Sequence, residues 1–506
     1  MAVSLKASEP LSAIDWLENA DGSKNRSDIT DQRAKDTVSP AIVKTKLEPI
    51  NLNGVGIIPS SIAGLSSSLW VGSDEEQVAA YFSNLPELRF SRAQTLLKRI
   101  LIIESDPPKS SKSSKNAGHH FLLARINKLM DIGALDEAET LILKAKPLND
   151  MIFQKWVQIS FLTGRLSNIC RNISQTPRLS KDLSLNIICL ARSGDWNAAA
   201  LILSNASALE QLTRETEKIL TLYLDPEMIE DESFSETQES RDPMIFYIRE
   251  INGLTSTQEM LPPKFLYNDL HQARTLRRKV SAAEKLAQNR AISEGILFNI
   301  YRSTKPAGSG GIWERMDAVQ KLDNSLISNN WQLIQKNLER CIIAMYEKNL
   351  LTQFADEYYP KLARFWPQTD TEKLNELISV ILVLNGKIPD PWRNYVSKKP
   401  KLALALLLAK SEDFDVLDLK TYVYSIQKNS PNFDPFFSFE ATMEAAAAKD
   451  ETQGHKIISA LRLVADGIDS NPTDLQKSLL LLDSAGQDEF AKTLLIEFLI
   501  KSMQFE

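Results

Sequence analysis

Gly133-Ala-Leu-Asp-Glu-Ala138 and Gly194-Asp-Trp-Asn-Ala-Ala199 are the two stretches on which the fold turns. Each Gly follows an apolar-periodic segment. Leu135 or Trp196 stands two positions on, Ala138 or Ala199 five, Ile142 or Leu203 nine, and Ala145 or Ala206 twelve. A weaker copy begins at Gly164, with Leu166 and Ile173 in the corresponding places. Self-similarity at roughly thirty residues outranks any isolated motif, because it marks a repeated supersecondary unit. The residue types explain themselves: Gly ends one helix in a conformation other residues resist, Asp or Asn starts the next, and a small Ala lets the two approach closely. Such pairs cannot cover their own apolar faces, so stacking buries them and leaves a concave surface for binding.

Outward from this block the same signals weaken without changing kind. Gly486, Ala491 and Leu495 echo the register near the C-terminus, with Phe498 in place of the last Ala. Only 18 glycines occur in 506 residues, and Leu, Ala, Glu and Lys runs dominate, which favours helices over turn-rich sheets. Strand-like alternation is nowhere sustained. The expected fold is therefore all-α, an α-solenoid of helix pairs with a disordered N-terminal segment. The chain divides by pattern into a short amphipathic motif (1–20), a disordered linker (21–53), a turn-rich lead-in with the first helices (54–118), the repeats (119–225), a helical middle region with a Gly-rich loop (226–330) and a C-terminal helical region (331–506).

Residues 21–49 are charged and lack apolar periodicity, so they cannot bury enough surface to offset the entropy of ordering them. Just before them Leu11, Ile14, Trp16 and Leu17 form an amphipathic island. An aromatic-bearing island on a flexible tether has the form of a helix-in-groove docking peptide; folding back on its own body is the alternative.

Charge and composition exclude several classes. Hydrophobic residues at 43% and charged residues at 25% leave no case for global disorder, and a net charge of −6 offers nucleic acid or anionic lipid no broad attraction. The basic run Arg274, Arg277, Arg278 and Lys279 reads as a solvated helix face. No apolar run approaches the roughly 18 residues of a membrane span, and the first residues lack a signal-peptide pattern, so a cytoplasmic protein is expected. Cys170, Cys189 and Cys341 sit in apolar helical contexts without CxxC spacing, which reads as three buried free thiols.

Sites fare no better against plain readings. Ala307-Gly-Ser-Gly-Gly311 leads into a helix, yet no strand precedes it and no Lys-Ser/Thr completes a nucleotide loop. His119, His120, His271 and His455 have no carboxylate at metal-ligand spacing. Tyr358, Tyr359, Trp366 and the stretch Phe433-Asp-Pro-Phe-Phe437 read first as helix packing and second as a peptide-binding patch. No cofactor or metal is expected.

The block from His119 to Ala208 resembles the second half of the tetratricopeptide repeat, in which a Gly, a large residue two positions on and small residues at the helix crossing recur. The first-helix Trp and Gly of that repeat are not recognisable here, and the period falls short of about 34. The Leu286–Leu322 block and the N-terminal island together are loosely similar to an uncharacterised group of alphaproteobacterial helical-repeat proteins. The alphaproteobacterial likeness implies a bacterial origin and no activity; with no catalytic, metal or nucleotide constellation, the repeat surface is expected to serve as a protein–protein interaction scaffold or adaptor with an unidentified protein partner, and the net charge speaks against nucleic acid. The rival expectation is an enzyme or accessory subunit with a site between helical domains. Gly133, Ala138, Gly164, Gly194, Trp196 and Ala199 are the structural residues that define the repeat.

Overall fold

Asp74 starts the first long helix by accepting hydrogen bonds from the backbone N–H groups of Glu76 and Gln77, both at 3.0 Å. Short polar residues open many of the later helices in the same way: Asn149, Asp182, Asp195, Thr213, Asp242, Thr275, Asn330 and Asn471 each cap one. The computed structural model describes residues 52–109, 119–145, 149–176, 180–228, 241–254, 256–367, 371–433, 452–503 and 505.

After a single turn of helix at Ser60–Ala63, and leaving aside short 3-10 turns, the helices in chain order are α1 (Glu75–Asn84), α2 (Ser91–Ile102), α3 (His120–Ile132), α4 (Leu135–Lys144), α5 (Asp150–Thr163), α6 (Leu166–Gln175), α7 (Leu183–Arg192) and α8 (Trp196–Ala208). They continue as α9 (Arg214–Leu224), α10 (Pro243–Ile251), α11 (Pro263–Gln272), α12 (Leu276–Gln288), α13 (Glu294–Ser303), α14 (Gly311–Ser328) and α15 (Trp331–Glu347). The last are α16 (Leu351–Leu362), α17 (Glu372–Asn385), α18 (Pro400–Lys410), α19 (Leu419–Gln427), α20 (Gln453–Leu463), α21 (Pro472–Ser484) and α22 (Asp488–Lys501). Among the described residues there is no strand, only isolated bridges at Ile58–Ile103 and Asp74–Lys109. The all-α expectation holds, and no described helix is long and apolar enough to cross a membrane.

The three repeat glycines lie at helix ends with left-handed backbone, Gly133 at φ 88°, Gly164 at 74° and Gly194 at 91°. At Gly133 space matters as well as angle: a Cβ would stand 2.4 Å from Leu286 Cδ2 and 3.2 Å from the Pro263 carbonyl oxygen. Helix α3 packs on α4, α4 on α5, α5 on α6, α7 on α8 and α8 on α9. Helix α10 then returns along α5, and α11 crosses both α3 and α5. The faces of α3 and α5 that pairing leaves over, where the sequence led us to expect an open binding surface, are thus covered by the chain's own later helices. Burial follows: α5 hides Phe153, Trp156, Ile159 and Phe161, which do not share one stripe, whereas α6 buries only Leu166, Ile169 and Ile173.

Residues 51–506 form one compact unit. Helices α1 and α2 pack on α3 on one side and on α20 and α22 on the other. Where they meet, charge is buried. Helix α2 has no side-chain cap of its own; instead Glu497 of α22, 0% exposed, accepts from the backbone N–H groups of Ser91 and Arg92 at 2.8 Å each, from the Thr352 hydroxyl at 3.0 Å, and pairs with Lys501 at 2.6 Å. Beside it Asp356 of α16 takes Arg92 at 2.9 Å and Arg290 at 2.7 Å. Burial alone would raise both carboxyls, but the cations and hydrogen bonds outweigh it and hold both below the usual carboxylate range. Arg290 sits at φ 55°, a conformation a long side chain adopts only when its surroundings fix it.

The lead-in repeats the device. Glu75 accepts from the backbone N–H of Phe121 at 3.0 Å and so caps α3 from α1, while buried Arg125 donates to the carbonyl oxygens of Asn53, Val55, Leu101 and Ile103. Desolvation pushes that guanidinium down to about 9.

Candidate functional site

Helices α6 and α8 are the outer members of their pairs, and each is buried along one stripe only. On α6 the remaining positions apart from Cys170 are polar, including Ser167, Asn168, Arg171 and Ser174. On α8 the buried stripe is Ala199, Leu203 and Ala206, while Trp196 is 51% exposed, Leu201 63% and Leu209, just past the helix, 67%. Ala200 and Ala208 are exposed too. Asn197, Ser204 and Asn205 are exposed among them, so the outer face of α8 is uncharged and mixed, with Trp, Leu and Ala surface for which the described chain has no cover.

Next to this edge lies a cleft of about 680 Å³ between α6 and α7, closed at one side by Ile202 of α8. Ile173 and Leu190 line it, and Arg171 and Arg192 stand at it; among the described residues that line it there is no Asp or Glu. Its wall contains Cys170 of α6 and Cys189 of α7, joined as a disulfide with Cα atoms 5.1 Å apart. This corrects the expectation of three buried free thiols. Only Cys341, in α15, is free and buried, and desolvation pushes its thiol far up. The two partly buried cysteines come from different helix pairs with no telltale spacing, so only the packing brings them together.

A second cleft, about 580 Å³, lies where the N-terminal ends of α7, α9 and α10 meet α5. Asp182, Thr213 and Asp242 all line it, and each is engaged in capping its own helix. A third polar constellation ties successive pairs together: Arg165, just after Gly164, binds Glu139 at 2.6 Å and Asp136 at 2.5 Å, and the Tyr267 hydroxyl donates to Asp136 at 2.7 Å. Desolvation of Asp136 is outweighed by the hydrogen bonds from Tyr267 and Arg165, so its carboxyl is held low.

The repeat-defining residues divide. Ala138 and Ala199 are fully buried at the helix crossings, as are Leu135 and Leu166 at the position two after each Gly; Trp196, in the same register, is a surface residue. Leu11, Ile14, Trp16 and Leu17 lie outside the described residues, as do Asp434 to Phe437. The histidines do not converge: His271 lies against Tyr267, and His455 against Tyr81 and Trp70. Gly311 opens α14, and neither Gly310 nor Gly311 has a neighbour within 4 Å of where a Cβ would be. Tyr358 packs among Phe298 and Phe354 in the core, whereas Tyr359 is partly buried and Trp366, of the same group, is 69% exposed. Arg278 leaves the solvated face expected of it and pairs with buried Asp269 at 3.1 Å. Reading the sequence alone missed the α6–α7 cleft; its one legible trace was the absence of acidic residues from Leu166 to Gln175.

No family model matches the chain, and no curated protein or solved structure matches it.

Proposed function

We propose that the chain is a non-enzymatic, cytoplasmic scaffold or adaptor for protein partners, built as a solenoid of tetratricopeptide-like helix pairs, with the outer edge of α8 as its docking surface. The observation that carries this reading is the uncovered apolar face of α8: burying a large apolar side chain such as Trp196, Leu201 or Leu209 against a partner contributes roughly 1.5–3 kcal/mol each. The covering of α3 and α5 by α10 and α11 supports an outer rather than an inner docking surface. The capping duties of Asp182, Thr213 and Asp242 favour a structural over a catalytic reading of the second cleft. The island Leu11, Ile14, Trp16 and Leu17 is a second docking element in this account, on charge and periodicity alone.

The test is affinity purification from the native cell with three forms: the whole chain, the chain without residues 1–49, and Trp196→Ser with Leu201→Ser. Partners that disappear with the α8 variant support the edge, and partners lost only on the deletion move docking to the island. Retention of every partner by both altered forms would remove both docking elements.

A further inference from the structure

We propose that the Cys170–Cys189 bridge is a thiol–disulfide exchange site that selects small anionic thiols. Both cysteines are partly buried on the wall of the α6–α7 cleft, whose 680 Å³ lies within the range of small-ligand pockets. Arg171 follows Cys170 directly, and Arg192 stands one turn beyond Cys189 with its guanidinium also donating to the Tyr247 hydroxyl at 3.4 Å; both arginines are exposed, and the described lining contains no carboxylate. In a chain of net charge −6 this is a local inversion of sign. Guanidinium groups beside a cystine act twice: they attract an incoming anion, and they stabilise the thiolate that leaves. Ser167 and Asn186 add hydrogen-bonding groups for a peptide-like thiol. Cys341 is the internal contrast, enclosed in α15 and held as an unreactive thiol by burial.

The chemistry is a two-step, two-electron exchange. A thiolate RS⁻ attacks one sulfur of the bridge; an RS–S bond forms, the Cys170–Cys189 bond breaks, and its electron pair leaves on the displaced sulfur, which takes a proton from water. A second RS⁻ attacks the mixed disulfide, releasing RSSR and the second cysteine as thiolate. The anionic thiol is the reductant, and its disulfide is the oxidised product. Because α6 is packed by α5, and α7 by α8 and α9, opening the bridge loosens the cleft and leaves the helices in place.

The experiment uses the purified full-length protein in the oxidised state, exposed to glutathione (anionic) or cysteamine (cationic) at equal thiolate concentration, quenched with iodoacetamide and read by mass spectrometry. The expected result is alkylation of Cys170 and Cys189 but not Cys341, with glutathione faster than cysteamine by about 3–10-fold at low salt. About 1 M salt, where the Debye length is about 3 Å, should erase that preference in the unaltered protein. Arg171→Glu with Arg192→Glu should reverse it. Equal rates at low salt, alkylation of both cysteines before any thiol is added, or release only together with Cys341 would each overturn the proposal.

Discussion

The closure around Glu497 and the edge formed by α8 break the same rule in opposite directions. At the closure, two carboxylates and three cations lie in the interior, where apolar side chains are the cheaper choice. At the edge, Trp196, Leu201 and Leu209 stand in solvent, where charge is the cheaper choice. The first arrangement makes sense as specificity. Glu497 binds backbone groups 405 and 406 residues away, so it fixes which helix end meets which. The second does nothing for the isolated chain, and so points outward.

The sharpest way to break this contrast is at Glu497. Leucine there leaves the buried Lys501 charge without its counter-ion, with only Asn349 Oδ1 still accepting from it at 2.7 Å, and strips two amide groups and the Thr352 hydroxyl of their acceptor, which should cost about 3–5 kcal/mol in denaturant unfolding. A loss no larger than that of an ordinary surface substitution would mean that the charges are incidental. The pH dependence follows with a definite sign. The folded-state carboxyls of Glu497 and Asp356 lie below their ordinary values, so their contribution is complete above the unfolded carboxylate range, begins to fall there, and is lost as pH passes through the lower folded-state values. Burial pushes the Asp269 carboxyl up despite Arg278, so it works the other way. Stability should therefore fall as the pH drops below about 4.5, and Glu497→Gln should flatten that fall; an unchanged acid slope would sink the assignment.

Two glycines separate angle from space. Gly133→Ala faces both a left-handed φ and a Cβ 2.4 Å from Leu286, and should cost roughly 2–3 kcal/mol, whereas Gly194→Ala has nothing within 4 Å and should cost about 1 kcal/mol. Equal losses would show that α12 simply moves aside. The smallest stability effect belongs to the edge: Trp196→Ser with Leu201→Ser should change unfolding by no more than about 0.5 kcal/mol per substitution while partner recovery falls.

What the sequence made legible was local. The Gly-to-Ala register placed the helix ends at Gly133, Gly164 and Gly194 and the buried crossings at Ala138 and Ala199, because those roles depend on residues within one turn or two. The start of α2 carried no such sign, since its cap is Glu497 at the far end of the chain. Nor did the Cys170–Cys189 bridge, or the return of α10 and α11 over α5, because each depends on packing between distant segments. Trp196 shows the limit most plainly: its register matched the core positions Leu135 and Leu166, but α8 presents that flank to solvent, and periodicity cannot say which side of a helix a neighbour will cover.

The most direct test of the account is a photo-crosslinking amino acid placed at Leu201 and, as control, at Ile327, an isolated apolar residue of α14 that is 84% exposed. Irradiation in the native cell should give a discrete protein adduct from position 201 and none from position 327. No adduct at 201, or the same adducts from both positions, would contradict the claim that the edge of α8 is where this protein meets its partner.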